Sequence, residues 1–220
     1  MKTAQEILQW AVDKYGDKIA LASSFGAEDV VLIDMLCKIT PTPHIFTLDT
    51  GRLNQETYAL MDAIRDKYNI KIRVMFPDTI DVEKMVAEHG LNLFYKSVEN
   101  RKNCCSIRKV APLNRVLDGL DAWITGLRKE QTQNRADIAQ IEDATNPVKI
   151  NPLADWSEEQ VWEYIKQNDV PYNVLHDRGY PSIGCECCTR AVREGENPRA
   201  GRWWWERSAE GKKECGLHVE

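Results

Sequence analysis

The chain has 220 residues, a hydrophobic fraction of 43% that is ordinary for a globular protein, and a formal net charge of −5. No apolar run approaches the roughly 20 residues of a membrane span, and the negative charge argues against non-specific nucleic-acid binding. Residues 1–6 contain no apolar signal core. We therefore expect a cytoplasmic protein whose seven cysteines bind metal or perform redox chemistry rather than form disulfides.

Strand and helix patterns alternate along most of the chain. Thr3 and Glu6 form a capping box before a helix that stops at Gly16. The predicted elements that follow are a strand at 19–22, a helix at about 27–37, a strand at 44–48, a helix that includes 60–68, a strand at 70–76, helices at 82–88 and 107–117, strands at 122–126 and 148–150, and a helix capped by Ser157. This alternation predicts an α/β fold, with a mainly parallel sheet covered by helices on both faces. From about residue 181 the periodicity fades, so we expect a domain over 1–190 and an irregular, mobile tail over 191–220.

Three turns follow predicted strands and would meet at the carboxyl edge of the sheet, where ligands of such folds bind. The first contains Ser23, Ser24 and Gly26, whose amides and hydroxyls can face an anion, although it lacks the Lys-Ser/Thr ending of a Walker loop. The other two end in Arg52 and Arg128. One such turn alone is more simply a surface turn with a solvated arginine, but three together favour an anionic ligand.

Five cysteines fall in two clusters, the adjacent pair Cys104 and Cys105 and the group Cys185, Cys187 and Cys188. Two separated thiol pairs can close a four-thiolate metal or iron–sulfur site. Structural zinc is the main alternative, but zinc sites favour Cys-x-x-Cys at both ends. Because two adjacent thiolates bind a single ion awkwardly, the pattern favours iron–sulfur.

The remaining two cysteines call for different interpretations. Cys37 lies on an apolar helical stretch and is typical of core packing. Cys215 stands alone near the end of the chain, with Lys212, Lys213 and His218 close by, and positive neighbours favour a thiolate. Cys215 is therefore the candidate nucleophile.

The segment before Cys215 combines Arg199 and Arg202 with three consecutive tryptophans. Interleaved arginine and aromatic residues can stack on nucleic acid, but the net negative charge makes this a minor option. Guanidinium groups also bind phosphate or sulfate through two hydrogen bonds. We therefore expect these arginines to contact a small anionic substrate, and we exclude nucleic acid and membrane partners.

With these motifs, the chain resembles the assimilatory adenylyl-sulfate reductases, the iron–sulfur branch of the phosphoadenylyl-sulfate reductase family. The resemblance spans residues 23–218. It is carried most specifically by Cys104-Cys105-x-x-Arg108-Lys109, Gly184-Cys185-x-x-Cys188-Thr189, the run from Arg199 to Glu206, and Glu214-Cys215-Gly216-Leu217-His218. It implies a nucleotide-binding fold of the adenine-nucleotide alpha-hydrolase, or PP-loop-like, type.

The resemblance also implies the chemistry and the site. Cys215 attacks the sulfur of adenosine 5′-phosphosulfate (APS), AMP leaves, and thioredoxin or glutaredoxin releases sulfite from the S-sulfocysteine. The implied ligands of a [4Fe-4S] cluster are Cys104, Cys105, Cys185 and Cys188. The implied substrate contacts are Ser23, Ser24 and Gly26 near the nucleotide, and Lys109, Arg199, Arg202 and His218 at phosphate and sulfate. Arg128 is a further candidate cation at the sulfate, and Arg135 a weaker one.

One departure from the family pattern is Cys187, which stands where the family's Cys-Glu-Pro-Cys motif has proline. Cys187 permits two alternative ligand pairs, Cys185 with Cys187 and Cys187 with Cys188. We assign Cys185 and Cys188 as ligands because that spacing lets one turn present two sulfurs, and Cys187 as a spare thiol. The alternative functions are reduction of the 3′-phosphorylated substrate (PAPS), or of both, an ATP-pyrophosphatase-type adenylating enzyme, and a non-catalytic metal sensor. The reductant is expected to be a separate protein, and the tryptophan-rich segment favours a homo-oligomer.

Overall fold

The computed structural model describes residues 2–132 and 135–206. The described residues divide into two compact units, the first within 2–47, 55–73 and 117–174, and the second within 48–54, 74–116 and 175–206. Within the described ranges, no helix is both long and apolar enough to cross a membrane.

The α-helices are α1 (Ala4–Tyr15), α2 (Ala27–Ile39), α3 (Gln55–Tyr68), α4 (Thr79–His89), α5 (Val98–Cys105), α6 (Ala111–Leu117) and α7 (Glu158–Gln167). The strands are β1 (Ile19–Ala22), β2 (Ile45–Leu48), β3 (Ile72–Met75), β4 (Ala122–Ile124), β5 (Ile141–Glu142) and β6 (Val148–Ile150). In the described part of the chain these strands form one six-stranded sheet of order β3-β2-β1-β4-β6-β5. β1 pairs in parallel with β2 and β4, β4 pairs in parallel with β6, and β5 runs antiparallel to β6. The predicted α/β class with a mainly parallel sheet is confirmed.

Local sequence signals fix the ends of α1 in the first unit. The Thr3 hydroxyl accepts from the Glu6 amide at 3.2 Å, and the Glu6 carboxylate accepts from the Thr3 amide at 2.6 Å, which completes the predicted capping box. Gly16 ends the helix with a φ of 50°, a left-handed conformation that glycine adopts without strain. β1 follows at the predicted residues.

α2 is buried nearly all round, because it contacts both α1 and α7. Asp34, one of the two buried carboxylates of α2, accepts from the hydroxyls of Tyr68 (2.9 Å) and Tyr164 (2.7 Å) and pairs with Lys38 at 2.7 Å. Burial and this carboxylate raise the pKa of both tyrosines. The cluster joins α2, α3 and α7 through polar bonds inside the first unit.

The second unit departs most from the sequence prediction. The pattern placed a helix at 107–117 after the first cysteine pair, whereas Cys104 and Cys105 themselves end α5. A π-helical turn at Ser106–Val110 then leads into α6. α5 has no apolar stripe, because its buried positions include Arg101 as well as the two cysteines, so hydrophobic periodicity could not reveal it. In the first unit, the short antiparallel strand β5 was not predicted either.

The segment after the second cysteine group has no helix or named strand within residues 191–206, as expected for an irregular region. It is nevertheless packed, since Trp203 is 1% exposed and Thr189 forms an antiparallel bridge with Arg202. The division between 1–190 and 191–220 remains a prediction. Cys215 and His218, with the rest of 207–220, lie outside the described residues.

Candidate functional site

Both cysteine groups lie in the second unit, and the fold brings them to one small cavity of about 20 Å³. The four predicted ligand thiols are all buried, with relative exposures of 8%, 9%, 8% and 8% for Cys104, Cys105, Cys185 and Cys188. The residues that line the cavity are Thr50, Arg52, Phe94, Arg101, Cys104, Cys105, Arg108, Lys109, Cys185, Cys187 and Cys188. Two thiol groups that are 80 residues apart in the sequence thus meet at one place.

A single turn presents the second group, as the Cys185-x-x-Cys188 spacing predicted. The Cys188 amide donates to the Cys185 carbonyl at 2.9 Å, and the Thr189 hydroxyl donates to the same carbonyl at 2.9 Å. The Cys185 sulfur lies 3.3 Å from the Thr50 hydroxyl. These bonds fix the backbone of the turn and leave the sulfurs toward the cavity.

The surroundings of the thiols are cationic. Arg108 is 9% exposed and donates through Nη1 to the Thr50 carbonyl at 2.7 Å, whereas its buried Nε has no hydrogen-bond partner in the described structure. Burial raises the pKa of Cys104, and the charge of Arg108 opposes that rise. Four buried thiols beside buried guanidinium groups fit a group that is held by thiolates and carries negative charge. Among the described residues, no three or more His, Cys, Asp or Glu side chains are arranged to hold a single metal ion.

Cys187, the departure from the family pattern, lies at the same cavity but is only partly buried. Its sulfur is 3.9 Å from that of Cys188, and its carbonyl accepts from the Tyr95 hydroxyl at 2.8 Å. The hydrogen bond with Cys188, together with the charge of Arg52, lowers the pKa of Cys187 to about 7. The same hydrogen bond and burial raise the pKa of Cys188. Cys187 is therefore the more acidic thiol of this pair.

The Arg202 guanidinium is hydrogen-bonded to other residues of the second unit. Its Nη1 donates to the Ser182 hydroxyl (3.3 Å) and the Ile183 carbonyl (3.2 Å), and its buried Nε has no partner among the described residues. A Cβ at position 184 would overlap this guanidinium, which explains why glycine precedes Cys185. Lys109 lines the cysteine cavity. Lys109 and Arg199 each interact with other residues, so neither is a free cation.

In the first unit, the hydrogen-bond donors of the loop after β1 already bind a carboxylate from α2. The carboxylate oxygen Oδ2 of Asp29 accepts from the Ser24 amide (2.6 Å), the Ser24 hydroxyl (2.8 Å) and the Gly26 amide (3.4 Å). The Ser23 hydroxyl accepts from the Phe25 amide at 3.1 Å. An anionic ligand on these donors would have to displace Asp29. Sequence analysis missed Asp29, although Gly26-x-x-Asp29 has the spacing of an N-cap and its third helical residue.

The turn after β4 is held by the neighbouring carboxylate. Arg128 donates through Nε to Glu28 at 2.8 Å, and its side chain is 6% exposed. A Cβ at Gly126 would overlap the second oxygen of Asp29, so glycine is required where the two loops meet. Arg128 is thus a buried, paired cation rather than a solvated one.

Asp29 gives the first unit a pH-dependent stability. Burial raises its pKa to about 6, against hydrogen bonds from Ser24 that lower it. Because the unfolded carboxyl titrates near 3.9, the folded state binds the extra proton between about pH 4 and 6, and stability falls as pH rises through that window. The full shift corresponds to about 3 kcal/mol, or several degrees in melting temperature.

In Asp29→Asn, this dependence should disappear. The melting temperature of the variant relative to the wild type is expected to rise with pH from about 4 to 6 and to level off above 7. Thermal unfolding across this range measures it. Asp66→Asn, at an exposed position on α3, is the control and should follow the wild type at every pH. A constant offset for Asp29→Asn would contradict the prediction.

The described structure places the predicted site residues in two groups. Ser23, Ser24, Gly26 and Arg128 lie together in the first unit, and Cys104, Cys105, Cys185, Cys188, Lys109, Arg199 and Arg202 lie in the second. The roles of these residues remain predictions.

Comparison with known structures first defines the class of fold. Candida glabrata FMN adenylyltransferase, solved in complex with ATP, aligns with a TM-score of 0.57 at 14% identity, over 83% of this chain and 59% of that one. Phosphoadenylyl-sulfate (PAPS) reductase from Candida auris, solved as a phosphate complex, aligns with a TM-score of 0.72 at 31% identity, over 84% of this chain and 89% of that one. The chain therefore has the α/β fold of these nucleotide enzymes.

The sequence comparisons are more specific. The profile of the phosphoadenosine phosphosulfate reductase domain matches residues 18–191. Adenosine 5′-phosphosulfate reductase from Burkholderia cepacia is 53% identical over 205 residues, which cover 92% of this chain and 81% of the relative. The chain belongs to the phosphoadenosine phosphosulfate reductase family.

Proposed function

We propose that this protein reduces adenosine 5′-phosphosulfate to sulfite and AMP in sulfate assimilation. The observation that carries the proposal is the set of four buried thiols at one cavity, in a chain whose relative of 53% identity is an adenosine 5′-phosphosulfate reductase. Cys104, Cys105, Cys185 and Cys188 are the proposed cofactor ligands, Cys187 is the spare thiol of the same cavity, and the solitary Cys215 is the thiol that we assign to the reaction.

The proposed reaction has two substitution steps at sulfur. The Cys215 thiolate attacks the sulfate sulfur, the bond between that sulfur and the bridging oxygen breaks, and AMP leaves with the electron pair. A thioredoxin thiolate then attacks Sγ of the S-sulfocysteine, and sulfite leaves with the electrons of the sulfur–sulfur bond. The second thioredoxin thiol closes the disulfide and releases Cys215, so the dithiol supplies both electrons.

The proposed resident cofactor is a [4Fe-4S] cluster held by Cys104, Cys105, Cys185 and Cys188. When bound, such a cluster supplies a fixed, negatively charged centre that can order the cations around it. Arg108, whose Nε has no hydrogen-bond partner among the described residues, and Lys109 line the same cavity as the thiols, which supports a role for both in balancing that charge.

Attack by a thiolate on an anionic sulfate group requires cations that offset the repulsion between them. Lys109, Arg199, Arg202 and His218 are the proposed contacts of the phosphate and sulfate, with Ser23, Ser24 and Gly26 near the nucleotide. The bond between Arg128 and Glu28 supports a narrower role for Arg128 than the sequence implied, in which it holds the loops in place. The Asp29 carboxylate accepts from the Ser24 and Gly26 donors, so these donors are not open to a pyrophosphate group. This observation argues against the adenylating alternative.

Steady-state kinetics with APS and PAPS, with thioredoxin as reductant and sulfite as the measured product, test the proposal. We expect higher kcat/KM for APS, because an additional 3′-phosphate dianion needs its own cationic partner or is desolvated at a cost. Glutaredoxin as an alternative reductant, a homo-oligomeric state and a cytoplasmic location are further proposals. Equal or reversed preference would contradict the substrate assignment, and no sulfite from either nucleotide would contradict the reductase assignment.

A further inference from the structure

A buried ion pair joins α5 to the end of the described chain. Arg101 donates through Nε to Oε1 of Glu206 at 2.8 Å and through Nη2 to Oε2 at 3.1 Å. The two side chains are 5% and 3% exposed. Such a two-point contact between a guanidinium and a carboxylate fixes the relative orientation of both groups. Arg101 precedes the cavity residue Cys104 by three positions, and Glu206 precedes Cys215 by nine.

Other contacts hold the same segment to the cysteine centre, which is the cavity lined by Cys104, Cys105, Cys185, Cys187 and Cys188. The guanidinium carbon of Arg101 lies 4.5 Å from the Trp203 ring centroid, and that of Arg202 lies 4.9 Å from it. The Trp203 amide donates to the Cys188 carbonyl at 3.1 Å. The indole of Trp205 donates to the Phe94 carbonyl at 3.2 Å. The segment from Arg202 to Glu206 therefore contacts residues of both cysteine-bearing stretches.

Stability alone is a weak explanation for this pair. Removing two charges from water costs several kcal/mol each, and apolar residues of similar volume often serve as well or better. What a buried, two-point ion pair adds is a defined geometry. Nine residues reach at most about 30 Å, so the position of Glu206 limits where the thiol of Cys215 can act.

We propose that Arg101 and Glu206 are positioning residues for the nucleophile, which fix the point where the Cys215-bearing segment leaves the cysteine centre. This inference rests on the proposed function, because it takes Cys215 as the nucleophile. A tethered nucleophile reaches its target at an effective concentration that depends on where its tether is anchored and how much of the tether is free. Loss of the pair should therefore slow attack on the substrate while leaving the thiol centre and nucleotide binding in place.

The test uses iron-loaded full-length protein and the variant Glu206→Gln. In a single turnover with saturating APS and no thioredoxin, mass spectrometry follows the S-sulfocysteine on Cys215. We expect adduct formation to slow by roughly ten- to a hundredfold, with iron content, visible spectrum and the Kd of AMP unchanged. The matched control is Glu196→Gln, which removes the carboxylate of the more exposed two-point pair of Arg190 and Glu196 in the same unit and should react at the wild-type rate.

Glu206→Gln leaves the Arg101 charge buried beside an amide, so the variant can lose iron through instability. The double variant Arg101→Gln/Glu206→Gln removes both charges and should retain iron while still reacting slowly. A wild-type adduct rate in an iron-containing variant would overturn the proposal, as would iron loss in both variants. A wild-type protein that forms no adduct at all would instead refute the proposed function.

Discussion

Replacement of Cys215 by serine is expected to lower sulfite formation from APS by a factor on the order of 10³ or more. Serine is a far weaker nucleophile at neutral pH, because its hydroxyl stays protonated where a thiol ionises. Iron content and the Kd of AMP should match the wild type, since none of the proposed cofactor ligands changes. Sulfite release with thioredoxin, together with iron analysis, measures the result.

Two other thiols serve as references for this prediction. Burial and the Asp34 charge raise the pKa of Cys37 to about 11, so this thiol stays protonated and Cys37→Ser should retain full activity. Cys187 is the competing nucleophile, because its pKa is lowered to about 7. Incubation of the wild type with APS but no reductant should place the sulfonate on Cys215. An adduct on Cys187 would contradict the assignment of the nucleophile.

The parts of the fold that the sequence predicted well are those that neighbouring residues control. The capping boxes of Thr3 and Ser157 start helices where expected, because each satisfies amides only three residues away. β1 appears at its predicted residues, since a fully apolar run between two breakers is typical of a buried strand. The apolar positions within 60–68 predicted α3 but not its start, because the helix begins at Gln55 with mostly polar residues.

α5 could not be predicted in this way, because its burial depends on distant partners. Arg101 is buried on this helix with its charge paired to Glu206, which lies 105 positions along the chain. The cysteines replace an apolar stripe, and no local periodicity results. Sequence periodicity records which side chains avoid water, but it does not record which charges are paired.

The candidate site shows the same division. Residue type and spacing singled out four cysteines that the fold brings to one cavity, while their role as ligands and the roles of the arginines stay predictions. The side chains that pair with the predicted loop and arginine were not visible in the sequence: Asp29 accepts from the loop donors, and Glu28 accepts from Arg128. A loop that looks open to an anion in the sequence can be closed by a carboxylate three residues into the next helix.

Removal of any one of the four proposed ligand thiols is the second change for which we expect a large effect, here on the iron content. Cys104→Ser, Cys105→Ser, Cys185→Ser and Cys188→Ser are each expected to lose most of the about four irons and four sulfides of a [4Fe-4S] site. Serine keeps nearly the same volume but is a poor ligand for iron. Because cofactor binding contributes to folding free energy, the melting temperature should fall together with the iron content. Iron and sulfide analysis of anaerobically purified protein, with the visible spectrum, measures the outcome.

Cys187→Ser is the matched control for these four variants, since Cys187 lies on the same turn and at the same cavity. The hydrogen bond from Tyr95 to its carbonyl fixes the backbone of Cys187, and its side chain is only partly buried. Neither observation requires its sulfur to bind the cofactor. We therefore expect Cys187→Ser to keep iron and colour. Iron loss in Cys187→Ser with retention in Cys188→Ser would show that Cys187 is a ligand in place of Cys188. A colourless wild-type protein with one zinc would contradict the iron–sulfur assignment itself. The adjacent Cys104 and Cys105 would then have to share a single ion.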